Sequence, residues 1–324
     1  MKAPAWQIWT ALGLVYVLWG STYLAIRYAV ESMPPMLSAS SRFAVAGALL
    51  AGWLAVRRGR KGFHATARQL LNAAIIGLLL LAGGNGLVTI AEERGLPSGL
   101  AALLVAVIPL WVVLLRSLTG DRPASRTLLG VALGFVGVAV LLLPGARPEG
   151  VSLLPAAMVV VGSFLWSLGS FGATRVALPK DPLMTTVTQM AGGSLGLLVA
   201  AAVGGERVRL GDVTAVSWLA WGYLVVFGSI VAFTAYSWLL GVAPVSQVST
   251  YAYVNPVVAV LLGALIAKEP VGGATVVGGA VTVLAVAVVV SEEGRRRRAR
   301  GLEVPADAPY TPDDRQGRVR SSRT

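Results

Sequence analysis

Cysteine is absent from this 324-residue sequence, and histidine occurs only once, at His64. A chain without cysteine has no disulfide and no thiolate ligand for a metal. A single histidine in a charged loop supplies neither a paired-histidine zinc site nor the buried base of a Ser–His protease. The sequence also lacks a glycine-rich phosphate-binding loop, which argues against direct use of ATP. We therefore predict that the protein is not an enzyme and holds no metal or cofactor.

Charged residues are scarce as well. They make up 13% of the chain, whereas hydrophobic residues make up 56%, and soluble domains contain about 25% charged residues. The apolar residues form long continuous runs, and a run of about 20 such residues spans a bilayer as a helix. The period-two alternation of a membrane barrel strand is missing. The sequence therefore predicts an all-α integral membrane protein.

The apolar runs are separated by short loops that contain glycine, proline and charge. They cover approximately residues 8–28, 36–56, 70–90, 97–118, 127–144, 152–174, 183–203, 216–239, 245–266 and 272–290. Each is long enough to cross a membrane. We predict ten transmembrane helices, followed at 291–324 by a basic tail with too few apolar residues to fold.

The net charge of +12 is unevenly distributed along the chain. Arginine and lysine concentrate in the loop at 57–69, around the loop at 119–126, and in the run that begins at Arg295. The positive-inside rule places these segments in the cytoplasm. The predicted protein is multi-pass in the cytoplasmic membrane with both termini cytoplasmic. We interpret the arginine run as an anchor that touches anionic lipid, and we expect no nucleic-acid partner.

A fixed step of 147 residues aligns the two halves of the chain without a gap. It pairs Trp19 with Trp166, Pro35 with Pro182, Pro97 with Pro244, Pro109 with Pro256, and Pro123 with Pro270. Proline gathers at helix ends in any helical protein, but this does not account for the mid-span pair, Pro109 and Pro256, which we expect to kink their helices. The predicted units are residues 1–147 and 148–290. Because each holds five spans, an odd number, the two repeats are expected to be inverted.

Polar and aromatic side chains at membrane depth are the candidate substrate-binding residues. Trp19 and Tyr23 share a face of the first span, and Trp166 is the repeat mate of Trp19. Asn85 follows two glycines in the third span, which favour local loosening of the helix, and close helix packing is the somewhat stronger interpretation of these glycines. In the ninth span, Tyr251 and Asn255 lie four residues apart, just before Pro256. We predict that these six side chains, from Trp19 to Asn255, line a cavity.

Three further residues are candidates for charge or gating roles. Arg42 is the only basic residue well inside a span, and a buried charge is costly enough to suggest function. Glu92 or Glu93 could pair with it, although snorkelling and a structural ion pair are also possible. The repeat mate of Arg42 is Gln189, since 42 + 147 = 189. We expect Arg42 and Gln189 to flank a central cavity, one near each entrance.

The sequence resembles an EamA-type member of the drug/metabolite transporter superfamily. The resemblance rests on Trp19-Gly20-Ser21-Thr22-Tyr23, Arg42-Phe43, Pro109, Gly120-Asp121-Arg122-Pro123, Asn255-Pro256 and Lys268-Glu269-Pro270, and covers about residues 8–290. Asp121 stands where the family usually has Glu. The resemblance implies a ten-helix exporter of small metabolites, amino acids or drugs.

Two other functions remain open from the sequence alone. A membrane enzyme is disfavoured because the catalytic groups are missing. A non-transporting sensor or scaffold, with the basic tail as a docking arm, is the stronger alternative. The sequence does not specify the substrate, the coupling ion or the oligomeric state, and the small-molecule substrate and the lipid bilayer are the only partners we predict.

Overall fold

The computed structural model describes residues 4–59, 63–120, 123–142, 152–243, 248, 250–269 and 271–299. Within them, all regular structure is helical. In chain order, the helices are α1, Ala5–Val30; α2, Pro35–Arg58; α3, made of Ala67–Gly77, Leu78–Asn85 and Gly86–Glu93; α4, made of Ser98–Val105 and Ile108–Leu118; α5, Ser125–Leu142; α6, Leu153–Ala173; α7, Pro182–Val203; α8, made of Ala215–Tyr223, Leu224–Val231 and Ala232–Val242; α9, Tyr251–Ile266; and α10, Gly273–Ala299.

Eight of these helices are long and apolar enough to cross a membrane, whereas α5 and α9 contain shorter apolar stretches, Ser125–Leu141 and Val254–Ile266. This search covered only the part of the chain that the structure describes. Many large apolar side chains are exposed on the outside of the bundle, as expected of helices that face lipid. The all-helical membrane fold is therefore established.

Local sequence signals explain where several helices begin. Pro35 and Pro182 each occupy the first position of a helix, where a missing N–H costs no hydrogen bond. Thr66 and Gln69 form a reciprocal capping box at the start of α3. Thr214 caps α8 by accepting a hydrogen bond from the Ser217 N–H. Side-chain oxygens thus satisfy backbone donors that the first turn of a helix leaves unpaired.

Helices α2 and α7 pack side by side in opposite directions. At the start of α2, the Glu206 carboxylate beyond the end of α7 accepts hydrogen bonds from the Met36 and Leu37 N–H groups at 3.1 and 2.8 Å. At the other end, Arg58 pairs with Asp181, which caps the start of α7. Charged contacts therefore hold this antiparallel pair together at both ends.

Helices α5 and α10 form a second antiparallel pair, built on small residues. A methyl group added at Gly130 would lie 2.7 Å from Val289, and one added at Gly137 would lie 2.4 Å from the Thr282 hydroxyl. As the position advances along α5, its contact on α10 moves back toward the start of that helix. Glycine allows the two backbones to approach closely where lipid gives no hydrophobic driving force for helix association.

The fourth span is broken rather than smoothly kinked. Ala106 and Val107 form a turn between its two helical segments, and Pro109 is the second residue of the segment that follows. Proline offers no N–H to the carbonyl four residues earlier, at Val105, so the first segment ends there. Pro256, its mate in the 147-residue step, instead lies inside the continuous helix α9.

Two wide π-helical segments interrupt α3 and α8, at Leu78–Asn85 and Leu224–Val231. Shifting the first by 147 residues gives 225–232, one residue from the second. The glycines of the third span suggested local loosening there, but nothing in the sequence indicated its form or its counterpart in α8. Such segments are rare and often occur at functional sites.

Helix α10 continues to Ala299, through residues 291–299 where the sequence predicted the start of a disordered tail. Extending an existing helix costs far less than starting one. An ion pair between Arg295 and Glu292, three residues apart, adds support within this polar stretch. The predicted tail from residue 300 onward lies outside the described residues.

We expect Gly77→Ala to lower the free energy of unfolding by about 2 kcal/mol, as overpacking does in a tight interface. The added methyl would lie 2.0 Å from the Gln189 carbonyl oxygen on α7, a backbone atom that moves only if the helix moves. Unfolding in mixed micelles, followed by tryptophan fluorescence, measures the change. The matched control is Gly52→Ala, because Gly52 is exposed on α2 with nothing within 4 Å of an added methyl. Equal stability of the two variants would contradict the close packing of α3 on α7.

Candidate functional site

An aromatic cluster lies where α1, α6, α8 and α9 meet. The Trp19 ring contacts four others, with centroid distances of 6.0 Å to Trp166, 6.3 Å to Phe233, 4.8 Å to Tyr236 and 5.4 Å to Tyr251. The contacts with Trp166 and Tyr251 are edge-to-face, an arrangement that the quadrupoles of aromatic rings favour. We call these five residues the aromatic layer. Trp19 is its centre, and its repeat mate Trp166 is one of its direct contacts.

Two cavities adjoin the aromatic layer, and Phe233 and Tyr251 line both. We name them the Arg42 cavity and the Gln189 cavity, each after a polar residue in its wall. Including the space at their openings, the Arg42 cavity has a volume of about 750 Å³ and the Gln189 cavity a volume of about 2450 Å³. The Gln189 cavity is therefore much the larger, and its wall includes Arg116 and Arg175 near the ends of α4 and α6.

All six residues predicted to bind substrate line the Arg42 cavity, together with Arg42 itself. They are Trp19, Tyr23, Asn85, Trp166, Tyr251 and Asn255. Gln189 is buried and lines the other cavity. Glu92 is buried on α3 and is not among the described residues that line either one. Five separate helices thus bring the predicted residues to one place.

Arg42 is 4% exposed, and its hydrogen-bond partner is not one of the two glutamates that the sequence suggested. Its Nη2 donates a hydrogen bond to the Asn85 side-chain oxygen at 2.6 Å, and its guanidinium lies 4.1 Å from the centre of the Phe43 ring. Its Nε has no hydrogen-bond partner. One guanidinium N–H group in the cavity wall is therefore left without an acceptor, which is costly for a buried charge.

Arg42 forms no direct ion pair with Glu92 or Glu93 in the structure. Glu93 is exposed, and neither carboxylate oxygen of Glu92 accepts a hydrogen bond although the residue is only 4% exposed. Glu92 lies seven residues beyond Asn85, about two helical turns further along α3. Asn85 is therefore the α3 side chain at the depth of Arg42, and Glu92 lies beyond it.

The strongest polar cluster is one that sequence reasoning missed. The Glu269 carboxylate accepts hydrogen bonds from the Ser98 N–H at 3.0 Å, the Ser98 hydroxyl at 2.9 Å and the Gly99 N–H at 3.2 Å. It also forms an ion pair with Arg27 of α1. A carboxylate at the start of α4 meets unpaired N–H groups and the positive end of the helix dipole. Glu269 thus joins the loop after α9 to α4 and α1.

Asn255 also ties two helices together. With its amide nitrogen turned toward the carbonyl oxygens around it, the side chain donates to the backbone carbonyl oxygen of Tyr16 at 3.1 Å and to that of Tyr251 at 3.2 Å. Its residue is 5% exposed. Asn255 therefore fixes α9 against α1 while its remaining surface faces the Arg42 cavity.

Other cavity residues carried too little sequence signal to be singled out. Ser229, in the π-helical part of α8, and Ser163 of α6 line the Arg42 cavity, and Phe233 lines both cavities. Ser229 is 2% exposed, and its hydroxyl has no hydrogen-bond partner. Serine and phenylalanine are common in membrane helices for packing alone, so only the fold identifies these three. Among the described residues, no group of three His, Asp or Glu side chains is placed to hold a metal.

Comparison with known families gives two matches on this chain. The profile of the EamA-like transporter family matches residues 6–143 and again residues 153–291. The chain belongs to the EamA-like transporter family. This membership confirms the resemblance seen in the sequence, and it makes the protein a membrane transporter.

Individual relatives agree with the EamA assignment. The chain is 40% identical over 279 residues to the uncharacterized inner membrane transporter YedA of Escherichia coli (strain K12), covering 86% of this chain and 89% of that protein. It is 24% identical over 274 residues to a probable amino-acid metabolite efflux pump of the same strain, covering 82% of this chain and 88% of that protein. A protein of known crystal structure aligns with a TM-score of 0.61 at 21% identity, over 91% of this chain and 98% of its own, which shows a shared fold.

Proposed function

We propose that this EamA-family protein is a secondary transporter that exports a small metabolite, amino acid or drug across the cytoplasmic membrane by alternating access. The observation that supports it best is the pair of cavities that share Phe233 and Tyr251. A solute site between two cavities becomes accessible from one side at a time when two packed halves rock against each other. The name of the related efflux pump favours the export direction.

The proposed architecture is ten membrane helices in two inverted repeats, with both termini in the cytoplasm. The antiparallel packing of α2 on α7 and of α5 on α10 supports it, since the 147-residue step relates the members of each pair. Two equivalent helices that run in opposite directions imply an inverted relation between the halves. The two family matches, 6–143 and 153–291, support a duplication at nearly the predicted boundary. In this architecture α5 and α9 also cross the membrane, and they are the helices with the shorter apolar stretches.

The scheme assigns an orientation to the two cavities. The Gln189 cavity reaches Arg116 and Arg175, at helix ends that the positive-inside rule places in the cytoplasm. On the opposite side, the ion pair between Glu269 and Arg27 joins α1 to the loop after α9. The structure then corresponds to an inward-facing state in which these charged contacts close the outer side. Opening outward requires α1 to move relative to this loop.

Solute flux in proteoliposomes tests the proposal. Purified protein is reconstituted at known orientation, and exchange of a broad panel of labelled metabolites, amino acids and drugs is measured with and without a pH gradient. We expect saturable flux of at least one solute above that of empty liposomes. A folded protein that carries none of the panel under either condition would favour the sensor or scaffold reading.

A further inference from the structure

The walls of both cavities contain arginine but no acidic residue among the side chains that the structure describes. Arg42 lines the Arg42 cavity, and Arg116 and Arg175 line the Gln189 cavity. Buried or partly enclosed cations concentrate anions along such a path, because a low dielectric and converging walls strengthen the field. The route through the molecule is therefore suited to a negatively charged solute.

The Arg42 cavity also contains unused hydrogen-bonding capacity. The Arg42 Nε and the Ser229 hydroxyl both lack partners, in residues that are 4% and 2% exposed, and the Trp166 indole N–H in the same wall lacks one too. Buried polar groups of this kind are normally satisfied in folded proteins, so three unpaired donors in one cavity wall need an explanation. An incoming acid group with two oxygens can accept from Arg42 and Ser229. Guanidinium groups bind such oxygens well because their N–H groups form a planar fork.

Much of the rest of the Arg42 cavity is apolar and aromatic. Uncharged polar side chains also line it, among them Thr22, Tyr23, Asn85, Ser163 and Asn255. Trp19, Trp166 and Phe233 form one side of it, and rings of this size pack well against another flat ring. A single guanidinium next to this surface matches one negative charge on an otherwise apolar body. A solute with two charges would leave one of them uncompensated, and a zwitterion would leave its ammonium without a carboxylate in the cavity wall.

We propose that the transported solute is a small monocarboxylate with an apolar or aromatic body, whose carboxylate binds Arg42 and Ser229 while its body packs on Trp19 and Trp166. The inference rests on the proposed transport function and adds the chemical class of the substrate. Glu92 does not line the cavity, so Arg42 is the charged side chain that meets the solute there.

The test compares four compounds that share a benzene ring and differ in charge: 3-phenylpropionate, 3-phenylpropylamine, L-phenylalanine and phenyl phosphate. Binding to the purified full-length protein is measured by tryptophan fluorescence, and flux is measured in proteoliposomes. We expect 3-phenylpropionate to bind about tenfold more tightly, or more, than each of the other three compounds, because one charge-assisted hydrogen bond contributes about that much affinity. An amine or amino acid that binds as well as the propionate overturns the proposal.

Variants separate binding by Arg42 from a merely structural role. Arg42→Gln should weaken the binding of 3-phenylpropionate by about tenfold or more, and the affinity of Arg42→Lys should lie between that of Arg42→Gln and that of the unmodified protein. Ser229→Ala should weaken binding severalfold without loss of stability. The control is Arg94→Gln, since Arg94 is exposed beyond the end of α3 and lines neither cavity.

The two levels of the proposal fail in different ways. If the broad panel yields a transported solute whose flux is unchanged in Arg42→Gln and Ser229→Ala, the monocarboxylate assignment is overturned and transport stands. If the folded protein transports nothing, the proposed function fails, and the substrate class with it. Should Arg42→Gln not fold, the Arg42→Lys and Ser229→Ala results decide, and unchanged binding in both counts against the carboxylate site.

Discussion

Replacing Glu269 with alanine is expected to lower the free energy of unfolding by about 3–5 kcal/mol, the usual cost of removing one partner from a buried charged cluster. The side chain is 4% exposed and satisfies two backbone N–H groups and the hydroxyl at the start of α4. Alanine leaves these donors buried without an acceptor, and it also leaves Arg27 without its partner. Unfolding in mixed micelles, monitored by tryptophan fluorescence, gives the change.

Two companion variants make this expectation specific. Glu93→Ala removes an exposed carboxylate from a helix end on the same side of the protein, so its effect should stay within about 0.5 kcal/mol. Arg27→Gln should cost less than Glu269→Ala, because the Glu269 carboxylate keeps its three hydrogen bonds and Arg27 is 36% exposed. If Arg27→Gln is as damaging as Glu269→Ala, the ion pair dominates and the role assigned to the α4 cap is wrong.

Trp19→Ala is expected to reduce solute flux at least about tenfold in protein that still folds. Its indole contacts the other four rings of the aromatic layer, and the indole N–H donates to the Gly228 carbonyl at 3.2 Å. Its removal opens a gap between the two cavities, and a solute held loosely by about 1 Å can lose two orders of magnitude in rate. Exchange flux in proteoliposomes, normalised to the amount of folded protein, measures the loss.

The chain offers a matched control for this change on the same helix. Trp9 is 60% exposed and lies nearly three turns before Trp19, so Trp9→Ala should leave flux unchanged. Trp19→Phe keeps an aromatic ring and loses the hydrogen bond to Gly228, and it should retain part of the flux. Full activity in Trp19→Ala would remove the aromatic layer from the transport path.

Much of this fold and site follows from sequence because both depend on local or periodic signals. Long apolar runs predict membrane helices, and Pro35 and Pro182 do begin the helices expected of them. The scarcity of polar residues in these runs made Arg42, Asn85 and Asn255 stand out, and the structure places all three in one cavity wall. A polar side chain inside a membrane helix is conspicuous because lipid offers it no partner.

What the sequence did not indicate depends on contacts between distant positions. Glu269 and Ser98 are 171 residues apart, and no periodicity links a loop carboxylate to the start of another helix. Glu92 lies in the same outer region as Arg42, and only the packing of α3 determines that Asn85 accepts the hydrogen bond from Arg42. The π-helical segments are equally hidden, since Leu224–Val231 is an ordinary apolar stretch by composition. Helix packing, more than helix formation, was beyond the reach of sequence patterns.

The π-helical segments in α3 and α8 also bear on the history of the chain. A π-helical turn is rare, and the two turns here lie at points that the 147-residue step relates to within one residue. Under the proposed duplication, one such turn in an ancestral five-helix subunit accounts for both. On that proposal the irregular turn is older than the fusion of the two copies, whereas the difference between Arg42 and Gln189 arose afterwards.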